Sequence, residues 1–245
     1  MRSWSGALTR ASDWARSHQQ VKAGWTQRPG RVGHASAARN VSALWQRRRE
    51  TATGRYADGY RAKRNVDPAR LVAFEVLDSI EQDGAFANLA LPKALRAAKE
   101  DFASFDGRDA AFTAELVYGT TRAQGRLDWI INAHSTRPVD QLDPSLRTVL
   151  RMGAHQILNM RVPDHAAVAS TVDLAREVLT DGPAKMVNAV LRSIIRTGAD
   201  QIDADIDAIE NPVERLAVRY SHPTWIVSAL GDALTAHGCS KDELE

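Results

Sequence analysis

The sequence predicts an all-α protein, a helical bundle preceded by a disordered basic arm. Three observations support this prediction. Apolar residues recur at helical spacing from about residue 65 onward, and no segment shows the alternating pattern of a β-strand. Short runs rich in Asp, Gly and Pro separate the helical patterns, which is typical of a bundle with short loops.

Residues 1–64 differ sharply in charge from the rest of the chain. They hold 14 lysines and arginines against three acidic residues, a net charge of +11, whereas the remainder holds 18 against 27, a net charge of −9. Four of the six tryptophans also lie here, with few Leu, Ile or Val residues to pack against. We expect a disordered arm. The arm could bind RNA. Alternatively, it is a solvated tail without a specific role, a stretch upstream of the true start site, or an organelle transit peptide.

The first two helices are marked by their ends. Asp67 can cap a helix and Pro68 suits a first turn, so the first helix begins there and ends at Gly84. A second helix covers residues 87–99, and residues 102–107 form a loop.

A long helical pattern then runs from Asp109 to about His134. Gly119 and Gly125 interrupt it. Because glycine weakens a helix and permits close packing, these two positions predict a bend or a tight contact.

The second half of the chain has the clearest periodicity. Asp143 and Pro144 begin a strongly amphipathic helix that ends near Leu158, and Asp164 is expected to cap the next helix after a short connector. After a break at residues 181–183 comes a helix with four residues predicted to be buried, Val187, Val190, Leu191 and Ile194.

Beyond Gly198 the sequence turns acidic. Ile202, Ile206 and Ile209 keep helical spacing among several aspartates, and a last helix begins within residues 220–225 and runs to about Ala236.

Composition excludes several classes of protein. No stretch approaches the roughly 18 to 20 apolar residues of a membrane span, and the start lacks the apolar block of a secretory signal. The single cysteine, Cys239, excludes a disulfide framework or a thiolate metal site and favours a cytoplasmic setting. Gly-rich nucleotide motifs, a His-Glu-x-x-His motif and a calcium loop are missing from the sequence, which favours binding over catalysis.

Two histidines flank the connector between two helices. His155 and His165 have no carboxylate or thiolate at metal-ligand spacing, so a packing or capping role is favoured over metal binding.

Basic residues on helix faces are the candidate RNA-binding residues. The helix after residue 183 presents Lys185, Asn188, Arg192 and Arg196 opposite its apolar side, where cations and an amide suit a phosphate-bearing polymer. Arg147, Arg151 and His155 form a row on the strongly amphipathic helix that begins at Pro144, and this row could extend the surface. The remaining candidates lie at or near the end of the arm and are Arg61, Lys63, Arg64 and Arg70.

Several motifs in order resemble a known family. They are residues 115–122 (ELVYGTTR), 127–131 (LDWII), 151–158 (RMGAHQIL), 161–168 (RVPDHAAV) and 188–192 (NAVLR). Together they resemble the NusB-like RNA-binding fold over about residues 66–197. They are most similar to the amino-terminal domain of the RsmB (Sun, Fmu) family of bacterial 16S rRNA cytosine-5 methyltransferases. Residues 220–230 also resemble the segment that leads into the next domain of that family.

The resemblance implies a domain that holds 16S rRNA or another structured RNA for a catalytic domain outside this chain. That domain would bind S-adenosylmethionine and use two cysteines, and no cofactor is expected in this chain itself. Residues 65–198 would be the RNA-binding domain and residues 199–245 a helical linker. Two alternatives remain: an antitermination factor, as a homodimer or with a ribosomal protein partner, and a structural module that contacts protein.

Overall fold

The computed structural model describes residues 66–244. Within this range the chain forms ten α-helices and two short 3-10 helices and contains no β-strand, which confirms the all-α prediction. The arm, with Arg61, Lys63 and Arg64, lies outside the described residues. The helices are α1 (Pro68–Asp83), α2 (Ala87–Asp101), α3 (Gly107–Arg122), α4 (Gln124–His134), α5 (Pro144–Asn159), α6 (Asp164–Val178), α7 (Asp181–Thr197), α8 (Ala199–Asp207), α9 (Pro212–Arg219) and α10 (Thr224–Ala236).

Helices α1 and α5 form the centre of the bundle. Helix α5 packs against α1, α3, α4, α6 and α7, while α2 packs on α1 and α3. Gly153 on α5 permits the contact with α7, because a Cβ there would lie 2.6 Å from Leu191 Cδ1. The close approach of α5 and α7 therefore depends on a residue without a side chain.

Both predicted ends of α1 and the predicted start of α5 are confirmed. Asp67 accepts a hydrogen bond from the backbone of Ala69, Pro68 is the first residue of α1, and Gly84 ends the helix with a φ of +67°. Asp143 caps α5 in the same way. The short polar side chain supplies an acceptor for N–H groups that have no partner inside the helix.

Several predicted boundaries are wrong in detail. Residues 181–183, which were expected to break the chain before a helix, are the first turn of α7. The long helix expected from residue 109 to 134 is two helices, α3 and α4, which separate at Ala123 and not at either glycine. Asp164 is the first residue of α6 and does not cap it; Pro163 occupies the cap position, without a side-chain hydrogen bond.

The last three helices attach to the bundle near the start of α4. Ile202 and Ile206 of α8 join the main core, whereas Leu216, Ala217 and Val227 form a smaller cluster. Ser221, in the turn between α9 and α10, has a φ of +56° and accepts a 2.7 Å hydrogen bond from the backbone N–H of Gly125. No helix between residues 66 and 244 is long and apolar enough to cross a membrane.

Candidate nucleic-acid interface

Helix α7 carries the predicted basic row on its outer side. Lys185, Arg192 and Arg196 are exposed, and Asn188 is half-buried. The four residues predicted to be buried on the opposite side, Val187, Val190, Leu191 and Ile194, are all in the core. A helix that buries one side and exposes the other can change its outer charges without disturbing its packing.

Polar contacts within this row order some of its side chains. Arg192 Nε donates a 2.9 Å hydrogen bond to Asn188 Oδ1, one helical turn earlier. Burial is the strongest cause of the lowered pKa of His134. The charge of Asp205 acts in the opposite direction, and the charge of Arg196 lowers the pKa further. The Arg196 end of the row therefore lies near His134 and Asp205.

Arg151 belongs to a buried ion network. Its guanidinium donates two hydrogen bonds to Asp128, of 2.6 and 2.8 Å, and one of 2.7 Å to Glu81. Only 7% of Arg151 is exposed. Burial alone would lower its pKa, but the hydrogen bonds and charges of Asp128 and Glu81 outweigh that effect and raise it. The network joins α1, α4 and α5, so we leave Arg151 out of the proposed RNA surface.

Arg147 and Arg70 are also held by the protein. Arg147 forms a 2.6 Å ion pair with Glu81, completing the network. Arg70 pairs with Asp67, donates a 2.7 Å hydrogen bond to Gln156 and lies over the ring of Phe112. These contacts fix the start of α1 against α5 and α3 and leave less of either guanidinium for a ligand.

His155 is a packing residue, as the sequence predicted. It is 3% exposed, and its ring lies against Gly119, where a Cβ would overlap it. The Asn159 amide donates a 3.1 Å hydrogen bond to His155 Nδ1. The other ring nitrogen, His155 Nε2, lies 3.7 Å from Glu115 Oε1. Burial lowers the pKa of His155, against the charge of Glu115. The predicted cationic row of Arg147, Arg151 and His155 is therefore not a continuous surface.

The described residues 66–244 form no cluster of metal ligands and contain a small cleft. His165 is exposed, and among residues 66–244 no three His, Cys, Asp or Glu side chains are grouped to hold a metal ion. A cleft beside Thr120 and Arg151 has a volume of about 20 Å³, enough for one water molecule. S-adenosylmethionine does not fit there, since pockets for ligands of that size typically occupy at least about 300 Å³.

The sequence interpretation did not single out three exposed cations on α2. Lys93, Arg96 and Lys99 recur at i, i+3 and i+6 and all face outward. This spacing was the signal that could have identified them. The sequence interpretation also did not identify Glu81 and Asp128 as the partners of Arg151, because they lie 70 and 23 residues away in the chain.

Similarity to known proteins agrees with this architecture. The NusB family model matches residues 67–196. A protein of Mycobacterium tuberculosis named as a methyltransferase is 42% identical over 187 residues, covering 75% of this chain and 39% of that protein. A Bacillus subtilis protein named probable ribosomal RNA small subunit methyltransferase B is 34% identical over 165 residues, covering 67% of this chain and 35% of its own length.

A more distant relative has the same name. Ribosomal RNA small subunit methyltransferase B of Escherichia coli is 27% identical over 164 residues, covering 67% of this chain. The chain thus spans 39% or less of the length of these relatives. The match over residues 67–196 coincides with the bundle from α1 to α7, and the chain belongs to the NusB family.

Proposed function

We propose that the bundle binds structured RNA through α7 and holds 16S rRNA for S-adenosylmethionine-dependent cytosine-5 methylation in the cytoplasm. The observation that carries the proposal is the exposure of Lys185, Arg192 and Arg196 on a helix whose other side is fully in the core. Shape and phosphate contacts dominate the recognition of folded RNA, and these cations supply the phosphate contacts.

The methyl transfer itself belongs, in this proposal, to a part of the enzyme outside these 245 residues. The names of the relatives support this role, since two of them are ribosomal RNA small subunit methyltransferases that share the bundle. In this proposal the described residues provide binding and orientation. The buried ion network joins α5 to α1 and α4, and α7 packs on α5, so that a bound RNA is held in one orientation.

Binding to RNA is tested by fluorescence anisotropy with labelled 16S rRNA hairpins at several salt concentrations. The double variant Lys185→Ala with Arg192→Ala should bind more weakly, and the slope of log affinity against log salt should fall by about 1.4 to 1.8. The matched control removes two exposed arginines elsewhere, Arg137 and Arg176, and should change affinity less. If the wild-type protein does not bind these hairpins, the RNA-binding proposal fails.

The role in methylation is tested in the source organism. Deletion of the gene should remove one 5-methylcytosine from 16S rRNA, as measured by bisulfite sequencing. The wild-type gene should restore it, and the Lys185→Ala, Arg192→Ala gene should restore it less. Unchanged methylation after deletion would reject the methyltransferase role and leave the antitermination factor, for which the NusB family match is the supporting observation. Such a factor should bind nascent-transcript RNA more tightly in the presence of a ribosomal protein partner, or as a homodimer.

A further inference from the structure

Helix α2, which packs against α1 and α3, exposes a second basic face. Its inner side, with Ala90, Leu91, Ala94 and Ala98, packs into the core. On its outer side the exposed cations are Lys93, Arg96 and Lys99. No ion pair identified among residues 66–244 involves any of these three, whereas Arg70, Arg126, Arg147, Arg151, Arg176 and Arg219 all form one.

Two large apolar side chains lie at the start of the same face. Phe86, immediately before α2, is 45% exposed, and Leu89 is 50% exposed. Leu89, Lys93 and Arg96 follow each other at i, i+4 and i+7, so they line one stripe of the helix. An exposed aromatic ring beside a row of cations provides the two elements that bind unpaired RNA: a surface for base stacking and charges for phosphates.

We propose that Phe86, Leu89, Lys93, Arg96 and Lys99 form a second RNA-contacting surface, which we call the α2 face, and that it binds an unpaired RNA segment. The inference rests on the proposed RNA-binding function and deepens it. Glu100 and Asp101 are also exposed at the end of α2 and reduce its net charge. The charge favours a polyanion, and the exposed Phe86 ring favours one with unpaired bases over a regular duplex.

The two surfaces lie on helices that pack against different parts of the bundle. Helix α2 packs on α1 and α3, whereas α7 packs on α4, α5 and α6. An RNA with both a helical part and an unpaired segment can therefore offer each surface the form of RNA that suits it.

The test compares two RNAs, a hairpin with a large unpaired loop and a perfect duplex, by anisotropy at several salt concentrations. Replacing all three cations by Gln should lower the salt slope for the looped hairpin by about 2. Phe86→Ala should weaken binding of the looped hairpin by about tenfold, leave its salt slope unchanged and leave duplex binding unchanged. Glu100→Gln should strengthen binding. Thermal melting of each variant verifies that the bundle is folded.

Different results separate this inference from the proposed function. If the α2 variants bind the looped hairpin like the wild type while Lys185→Ala with Arg192→Ala weakens binding, the α2 face is wrong and the proposed function stands. Weakened binding in both sets supports both. A polyglutamate peptide serves as the competing polyanion: if the α2 variants lose the peptide but keep the RNA, the face binds acidic protein and the inference is overturned.

Discussion

Arg151 donates two parallel hydrogen bonds to Asp128, of 2.6 and 2.8 Å, with 93% of the arginine removed from solvent. A planar guanidinium fits a carboxylate in this arrangement and fixes the relative rotation of α5 and α4. Because Glu81 on α1 accepts a third hydrogen bond, one side chain joins three helices.

Replacing Arg151 by Met should destabilise the protein strongly. Asp128 and Glu81 would lose charged partners while buried or half-buried, and breaking a buried pair typically costs about 3 to 5 kcal/mol of unfolding free energy. Urea unfolding followed by circular dichroism measures this. The control is Arg176→Ala, which breaks an exposed ion pair with Asp173 and should cost less than about 1 kcal/mol. The double variant Arg151→Met with Asp128→Asn should be more stable than Arg151→Met alone; equal stability would contradict the pairing argument.

Gly119→Ala should destabilise the bundle through His155. The new methyl group overlaps the imidazole, and overpacking of this kind typically costs about 1 to 3 kcal/mol. Gly107→Ala is the matched control, since nothing lies within 4 Å of a Cβ there, and it should be close to neutral. In the double variant with His155→Ala the cost of the Gly119 change should become smaller, which thermal or urea unfolding would detect as coupling between the two sites.

Stability should fall as the pH is lowered below about 6.5, the ordinary pKa of histidine. Burial lowers the pKa of His155 and of His134 in the folded protein. Between the folded and unfolded pKa values the unfolded state binds more protons, so stability is fully present above the unfolded pKa and is lost as the pH falls through the folded one. Urea midpoints between pH 7.5 and pH 5 should show this, and His155→Gln should show a shallower dependence. A midpoint that rises on acidification would contradict the assignment.

Two substitutions at Ser221 should separate its hydrogen bonds from its backbone strain. Both Ser221→Ala and Ser221→Gly remove the acceptor for the N–H groups of Gly125 and Arg126, a loss of about 1 kcal/mol. Alanine retains the unfavourable positive φ, whereas glycine relieves it by about 1 kcal/mol. We therefore expect Ser221→Ala to be the less stable variant, and limited proteolysis between α9 and α10 to proceed faster in it. Ser228→Ala, on the exposed side of α10, is the control.

The periodicity of the sequence predicted what depends on one helix alone. The buried side of α7 and the exposure of Lys185 and Arg192 follow from a repeat of 3.6 residues, and the ends at Asp67, Gly84 and Asp143 follow from local capping. The break between α3 and α4 did not follow, because contacts from distant segments determine it. His155 packs against Gly119, and Ser221 caps the start of α4.

The candidate site was likewise predictable only where it depends on a single helix. Sequence alone places Arg147, Arg151 and His155 on one side of a helix, but it does not show which other helix covers that side. Glu81 and Asp128 compensate a buried guanidinium only in the assembled bundle. For an isolated helical pattern, an arginine that binds a ligand and an arginine that binds the core have the same spacing.

The hydroxyl of Ser221 occupies the place that an N-cap side chain would take at the first turn of α4, although it comes from 96 residues further along the chain. The opening turn of α4 is consequently tied to the turn between α9 and α10, and opening of either segment breaks these hydrogen bonds. Amide hydrogen exchange at Gly125 and Arg126 thus provides a direct reading of whether the carboxyl-terminal helices are seated on the bundle.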